Sequence, residues 1–199
     1  MPKIVDHEQR RTDIARAAAT IIATRGIDAV TMVGIGEAAG MTTGAVTHYF
    51  EDKEQVILAA LRWADGAMQA RAARAFEQEK DVVSIALAAL PHDAESRVEW
   101  LVWAVFSDRA TRSETLMVEQ RQRDEDWHAL ALSVLSDLAK KGHLDPNIDI
   151  DIEASIAVAL IDGIGFHAAW DPGTWPEERQ RRALEQYLDR FAPRPGLRD

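Results

Sequence analysis

The sequence predicts an all-α protein. Three observations carry that expectation: apolar residues recur with helical spacing along almost every long segment, alanine is abundant, and alternation of apolar with polar residues is nearly absent. At 199 residues and 47% hydrophobic composition, the chain has ample material for a buried core in one or two compact domains.

The first helix rests on Ile14, Ala17, Ala18, Ile21 and Ile22, at i, i+3, i+4, i+7 and i+8, and Gly26 ends it. Arg10, Arg11 and Arg16 fall along or just before its polar side. A shorter helix opens at Thr31 as N-cap and closes at Gly40, which tolerates the positive φ of a turn. Gly34 and Gly36 lie inside it, each about 1 kcal/mol less favourable than alanine unless a neighbour packs closely there. Thr42 then caps a brief helix over 43–50. Two short helices joined by a few residues with a glycine in the turn make a helix-turn-helix pattern. A long helix follows from Asp52 towards Lys80, with Ile57, Leu61, Ala64 and Met68 on one stripe. Further helices are expected near 81–90, 94–109, 113–141, 149–169 and 176–191, broken by "PHD", "KKGHLDP" and "DPGTWP".

The formal net charge of −10 argues against indiscriminate coating of nucleic acid, which needs many cations against phosphates. Even residues 1–55 hold six Lys/Arg against eight Asp/Glu. Yet "GMTTGAVTHYF", from Gly40 to Phe50, contains no carboxylate. A helix whose first half enters a DNA groove must exclude carboxylates, because they repel phosphates. Thr42, Thr43 and Thr47 offer hydroxyls, threonine methyls suit a thymine methyl, and His48 and Tyr49 donate to phosphates or base edges. Lys53, at a helix start, is placed to meet a phosphate.

The stretch "TDIARAAATIIATRGIDAVTMVGIGEAAGMTTGAVTHYFEDKEQVILAAL" resembles the DNA-binding domain of the TetR family of bacterial transcriptional regulators. The match lies in Arg25-Gly26, Thr31, Ala39-Gly40-Met41-Thr42, Gly44, Tyr49-Phe50 and Lys53. The resemblance implies a homodimer with two reading heads on a palindromic operator, released by a small-molecule effector. It implies DNA contacts from Thr31, Thr42, Thr43, Gly44, Thr47, His48, Tyr49 and Lys53, with Thr42, Tyr49 and Lys53 at phosphate positions. Gly36 departs from the family's pattern, which commonly has alanine there. "TGAVTHYFEDK" together with "ALIDGIGFHAAW" (159–170) resembles the subgroup of the choline-responsive repressor of betaine synthesis. The implied organisation is a DNA-binding domain over 1–51, an effector-binding and dimerisation domain over 52–192, and a flexible tail over 193–199.

Ile156, Leu160 and Gly163 on one late helix, with Leu184, Tyr187, Leu188 and Phe191 on the last, are the expected dimer interface, a four-helix bundle from two chains. Trp100, Trp103 and Phe106 lie three residues apart on one helix side. Such a stripe is either plain core or, with Met117, Gln120, Trp127, Phe166 and His167, the lining of an effector cavity whose ligand the sequence does not name.

Other chemistries find little support. There is no cysteine, and six histidines are scattered without ligand spacing, so neither metal nor cofactor is expected. "LDPNIDIDIE" fails as a calcium loop, since Ile150 stands where glycine is required and Ile156 where glutamate is; its acids suit a helix start instead. No phosphate-binding glycine loop or nucleophile elbow supports an enzyme. No run approaches the roughly 20 consecutive apolar residues of a membrane span, and the opening lacks a signal-peptide segment, which suggests a cytoplasmic protein without a membrane partner. The alternatives are an activator, a helical small-molecule binding protein, or an adaptor.

Overall fold

The structure, a computed structural model, describes residues 7–190. Its elements are α1 (His7–Arg25), a 3₁₀ turn (Ile27–Ala29), α2 (Met32–Ala39), α3 (Thr43–Tyr49), α4 (Lys53–Glu77), α5 (Val82–Ala89), α6 (Ala94–Ala110), α7 (Glu114–Lys140), α8 (Ile150–Trp170) and α9 (Glu177–Leu188). No strand occurs among the described residues, so the all-α expectation holds. α5 to α8 begin and end within one residue of where periodicity and turn residues put them, whereas α9 ends at Leu188, three residues before the expected 191, which lies outside the described residues. The 3₁₀ turn after Gly26 was not foreseen; Gly26 permits it by adopting φ 83°.

The described residues form two compact units. One is built from α1 through Met68 of α4 together with Asp93–Met117, the other from Gln69–His92 together with the chain from Val118 onwards. The first unit thus contains α6 besides the N-terminal helices. Its core joins Ile14, Ile21 and Ile22 of α1 to Ile35 of α2, Val46 of α3 and Val56 and Ile57 of α4, all 3% exposed or less.

α6 joins that core through one of its two apolar stripes. Val98, Val102 and Val105 pack against the α1–α4 cluster, and an ion pair stands at each end of the stripe. Arg16 meets Glu95 at 2.8 Å, and Arg109 meets Asp28 of the 3₁₀ turn at 3.3 Å. These exposed pairs fix register more than they add stability.

The turn between α2 and α3 depends on two glycines. Gly40 takes the left-handed conformation, φ 65°, that ends α2. Gly36 is buried, and the Met41 amide donates to its carbonyl at 2.8 Å. A Cβ at 36 would sit 2.9 Å from the Met41 carbonyl oxygen, which is backbone and cannot swing aside. The departure from alanine therefore has a steric cause: the chain entering α3 lies directly on α2.

In the second unit, Asp149 caps α8 by accepting from the Ile152 amide at 3.3 Å. Gln180 of α9, 2% exposed, donates from its amide to the carbonyls of Pro91 and Trp175, both at 3.0 Å, tying α9 to the chain after α5. The Tyr187 hydroxyl donates to Glu153 at 3.0 Å, joining α9 to α8; burial first and this bond second raise its pKa above the ordinary tyrosine value.

Replacing Gly36 with alanine should destabilise the protein by about 1–2 kcal/mol, because overlap with backbone outweighs the gain of about 1 kcal/mol in helix propensity. Chemical denaturation measures it, and a more stable variant would contradict the close approach described for this turn.

Candidate nucleic-acid interface

α3 has seven residues, and Val46 is its one fully buried side chain. Thr42, Gly44, Thr47 and His48 are exposed, while Thr43, Ala45 and Tyr49 are half-buried. Of the threonines predicted from the sequence, Thr42 and Thr47 lie on the outside of the head and Thr43 is half-buried.

The hydrogen bonds define what each hydroxyl has left to offer. Thr42 Oγ1 accepts from the Ala45 amide at 3.1 Å, and Thr31 Oγ1 from the Gly34 amide at 3.0 Å. Each is an N-cap used as an acceptor, so each keeps its O–H proton for an outside acceptor such as a phosphate oxygen. Thr47 does the opposite, donating to the Gly44 carbonyl at 3.0 Å and keeping lone pairs and a methyl outward. That pattern suits a base-edge donor or a thymine methyl.

Lys53 is exposed at the first residue of α4. The acids around it are occupied locally: Asp52 Oδ1 accepts from the Gln55 amide at 2.9 Å, and Glu51 Oε2 from the Gln55 side chain at 3.2 Å. Asp52 thus caps α4, and Glu51 is held by the Gln55 side chain.

Tyr49 is surrounded by other side chains. Its ring lies 4.7 Å from His7 and 5.2 Å from His48, between centroids. Its carbonyl accepts from the Arg11 guanidinium, which also sits 4.2 Å over the Phe50 ring. The sequence put Arg11 on the polar side of α1; it is instead half-buried against the end of α3.

The expected effector-lining residues fall into groups. Trp100, Trp103 and Phe106 occupy the second stripe of α6, 1%, 5% and 2% exposed, with the two indoles edge to face at 5.5 Å. Glu99, on the same stripe and 1% exposed, is a residue sequence reasoning missed. Burial of a single carboxylate leaves no periodic signal, although its place inside "EWLVW" marks an ionisable group among aromatics. Met117 and Gln120 are half-buried on α7, where the Gln120 amide donates to Asp124 at 2.8 Å. Trp127 is buried near Arg123, whose guanidinium carbon is 5.9 Å from the ring; Arg123 also pairs with Asp162 of α8 at 3.5 Å. Phe166 stacks on Trp170 at 5.6 Å, and the exposed His167 on Trp175 at 5.7 Å.

Of the expected interface residues, Ile156 and Gly163 are exposed, and Leu160, Tyr187 and Leu188 half-buried. Leu184 is only 3% exposed, so its area is already used inside its own unit. Phe191 lies outside the described residues. With Ile156 and Gly163, Ile152, Ala159, His167 and Trp170 complete an exposed stripe on α8, spaced four, three, four, four and three residues apart. α8 is the one described helix long and apolar enough to cross a bilayer, with 28% of that window buried; it carries Asp162 in the pair with Arg123.

Comparison with known proteins agrees with this geometry. The family description "Bacterial regulatory proteins, tetR family" matches residues 14–60, and "BetI-type transcriptional repressor, C-terminal" matches residues 78–193. The chain is 29% identical over 193 residues to the HTH-type transcriptional regulator PksA of Bacillus subtilis (strain 168), covering 95% of this chain and 93% of that protein. It is 27% identical over 197 residues to the HTH-type transcriptional regulator BetI of Paraburkholderia xenovorans (strain LB400), covering 95% and 96%. Among solved structures, a putative transcriptional regulator from Saccharomonospora viridis in complex with choline superposes with a TM-score of 0.81 at 21% identity, covering 94% of this chain and all of that one.

Thr42→Ala removes the cap of a helix with little else to hold its first turn. The expected cost is about 0.5–2 kcal/mol, read as a lowered denaturation midpoint, with Thr42→Ser restoring most of it.

Proposed function

This chain belongs to the TetR family, as a transcriptional regulator with a helix-turn-helix head and a BetI-type C-terminal domain, and on that premise we propose that it is a homodimeric, effector-released repressor of a palindromic operator. The observation that carries the reading is the outward face of α3, free of carboxylates and flanked by N-cap hydroxyls whose protons remain available. Thr31, Thr42, Tyr49 and Lys53 hold phosphates; Thr43, Gly44, Thr47 and His48 face the bases. The reading belongs in the cytoplasm with the chromosome, and it assigns the chain no catalytic step.

Two heads are needed because one short helix reads only a few base pairs, and half-sites lie about 34–36 Å apart along the duplex. The α8 stripe supports a two-chain assembly: it runs from Ile152, 53% exposed, to Trp170, 60% exposed, along one side of the helix. Gly163 sits in that stripe with nothing within 4 Å of where a Cβ would stand, so nothing in its surroundings calls for a glycine. A second backbone passing there explains it. Ile156, Leu160, Tyr187 and Leu188 flank the contact.

The effector in this reading is a small organic cation. Trp100, Trp103 and Phe106 lie on one helix side with the two indoles perpendicular, and such π faces attract a desolvated cation. The choline complex of the Saccharomonospora viridis regulator favours the same class. The other stripe of α6 is packed into the head, so a ligand that shifts the helix moves the reading surface with it.

Replacing Lys53 or Tyr49 should weaken binding to every duplex sequence, and replacing Lys53 should also lower the salt slope by about one phosphate's worth, ~0.9. Replacing Thr43 or Thr47 should change preference among sequences by about 1–3 kcal/mol per base pair. Equilibrium binding at several salt concentrations separates the groups, and sedimentation should count two chains per duplex. Identical effects from all four variants would remove the division of roles.

Titrating quaternary ammonium compounds into the operator complex should lower its affinity roughly 5- to 150-fold. Trp103→Ala should abolish the response while leaving operator affinity without ligand intact. Release by acidic compounds alone would overturn the cationic assignment.

A further inference from the structure

α3 ends at Tyr49, and a helix leaves its last carbonyls without partners inside the helix. The Val46 carbonyl is taken by the Phe50 amide at 3.1 Å. The Tyr49 carbonyl is taken from outside, by Arg11, 38 residues earlier in the chain. The same guanidinium stacks over Phe50, which is 1% exposed and anchored in the core. One turn before, His7 of α1 lies against the Tyr49 ring from one side, while His48 stands edge-on to it at an interplanar angle of 81°. His7 and His48 are themselves 6.3 Å apart, closing a ring of side chains around the tyrosine.

We infer that the first turns of α1 form a positioning collar for the reading helix, in which Arg11, held to the Tyr49 carbonyl and the Phe50 ring, sets the pose from which Tyr49 reaches a phosphate. This rests on the DNA-binding reading above and adds a residue to it. Arg11 is a positioning residue and contacts no phosphate itself: its Nη1 donates to the carbonyl at the end of α3 and one side of its plane lies over Phe50. A bare cation near DNA acts at long range and independently of its neighbours. A guanidinium that acts through one tyrosine must show coupling to it.

The test is a double-mutant cycle on full-length protein, using a duplex that the wild-type chain enriches from a random-sequence library. Arg11→Ala should weaken binding about tenfold. In the Tyr49→Phe background the same change should cost less than about twofold. Neither Tyr49→Phe nor Arg11→Ala should lower the salt slope, because the slope counts phosphates neutralised by cations and neither side chain neutralises one. Arg11→Lys, which keeps one donor for the carbonyl, should recover most of the affinity; it also replaces alanine in the cycle if loss of helicity shows that alanine unfolds the head. Equal losses in both backgrounds, each with its own drop in slope, would make Arg11 a direct phosphate contact and overturn the inference. A wild-type chain that enriches no duplex removes the DNA-binding reading and this inference together, whereas selective wild-type binding with additive variants removes this inference alone.

Discussion

A helix of seven residues with one fully buried side chain does not stand alone in water, and the rest of the head is organised around that fact. α3 receives its first turn from the Thr42 cap, its seat from Gly36, its inward anchor from Val46 and Phe50, and its last carbonyl bond from Arg11. None of these groups is spare. Because so little of α3 is spent on its own packing, most of its surface remains outward for recognition. The surroundings supply the rigidity that the helix lacks.

α6 applies the same economy on a larger scale. Its valine stripe belongs to the head, with an ion pair at each end, while Glu99, Trp100, Trp103 and Phe106 occupy a second stripe of the same helix. A rigid element with two committed sides has few ways to answer a disturbance on one without passing it to the other. That is a physical route for control in this fold: the aromatic stripe of α6 and the valine stripe that braces the head share a backbone.

Much of this was legible in the sequence because helical periodicity, caps and glycines are local signals. Thr31 and Thr42 are N-caps as expected, the acids before α8 do mark its start, with Asp149 the cap, and the exposure of Thr47 follows from α3 having a single fully buried position, Val46. What stayed hidden depends on contacts distant in sequence. Arg11 reads as a polar-face arginine until its partner 38 residues away is known. Gly36 looks like a weak helix former until the Met41 carbonyl is seen 2.9 Å from its missing Cβ. Glu99 resembles any surface glutamate, and Leu184 follows the i, i+3, i+4 rule of an interface yet faces its own interior. Periodicity tells that a face is apolar; it does not tell which neighbour covers it.

The commitment of the head's cations has a kinetic consequence. Of six basic residues in the first 55, Arg11 is engaged with a carbonyl and Arg16 with the Glu95 carboxylate, which leaves few to displace the counterions that hold a protein on DNA regardless of sequence. A head with fewer free cations gains less from sequence-independent attraction and leaves duplex of arbitrary sequence sooner.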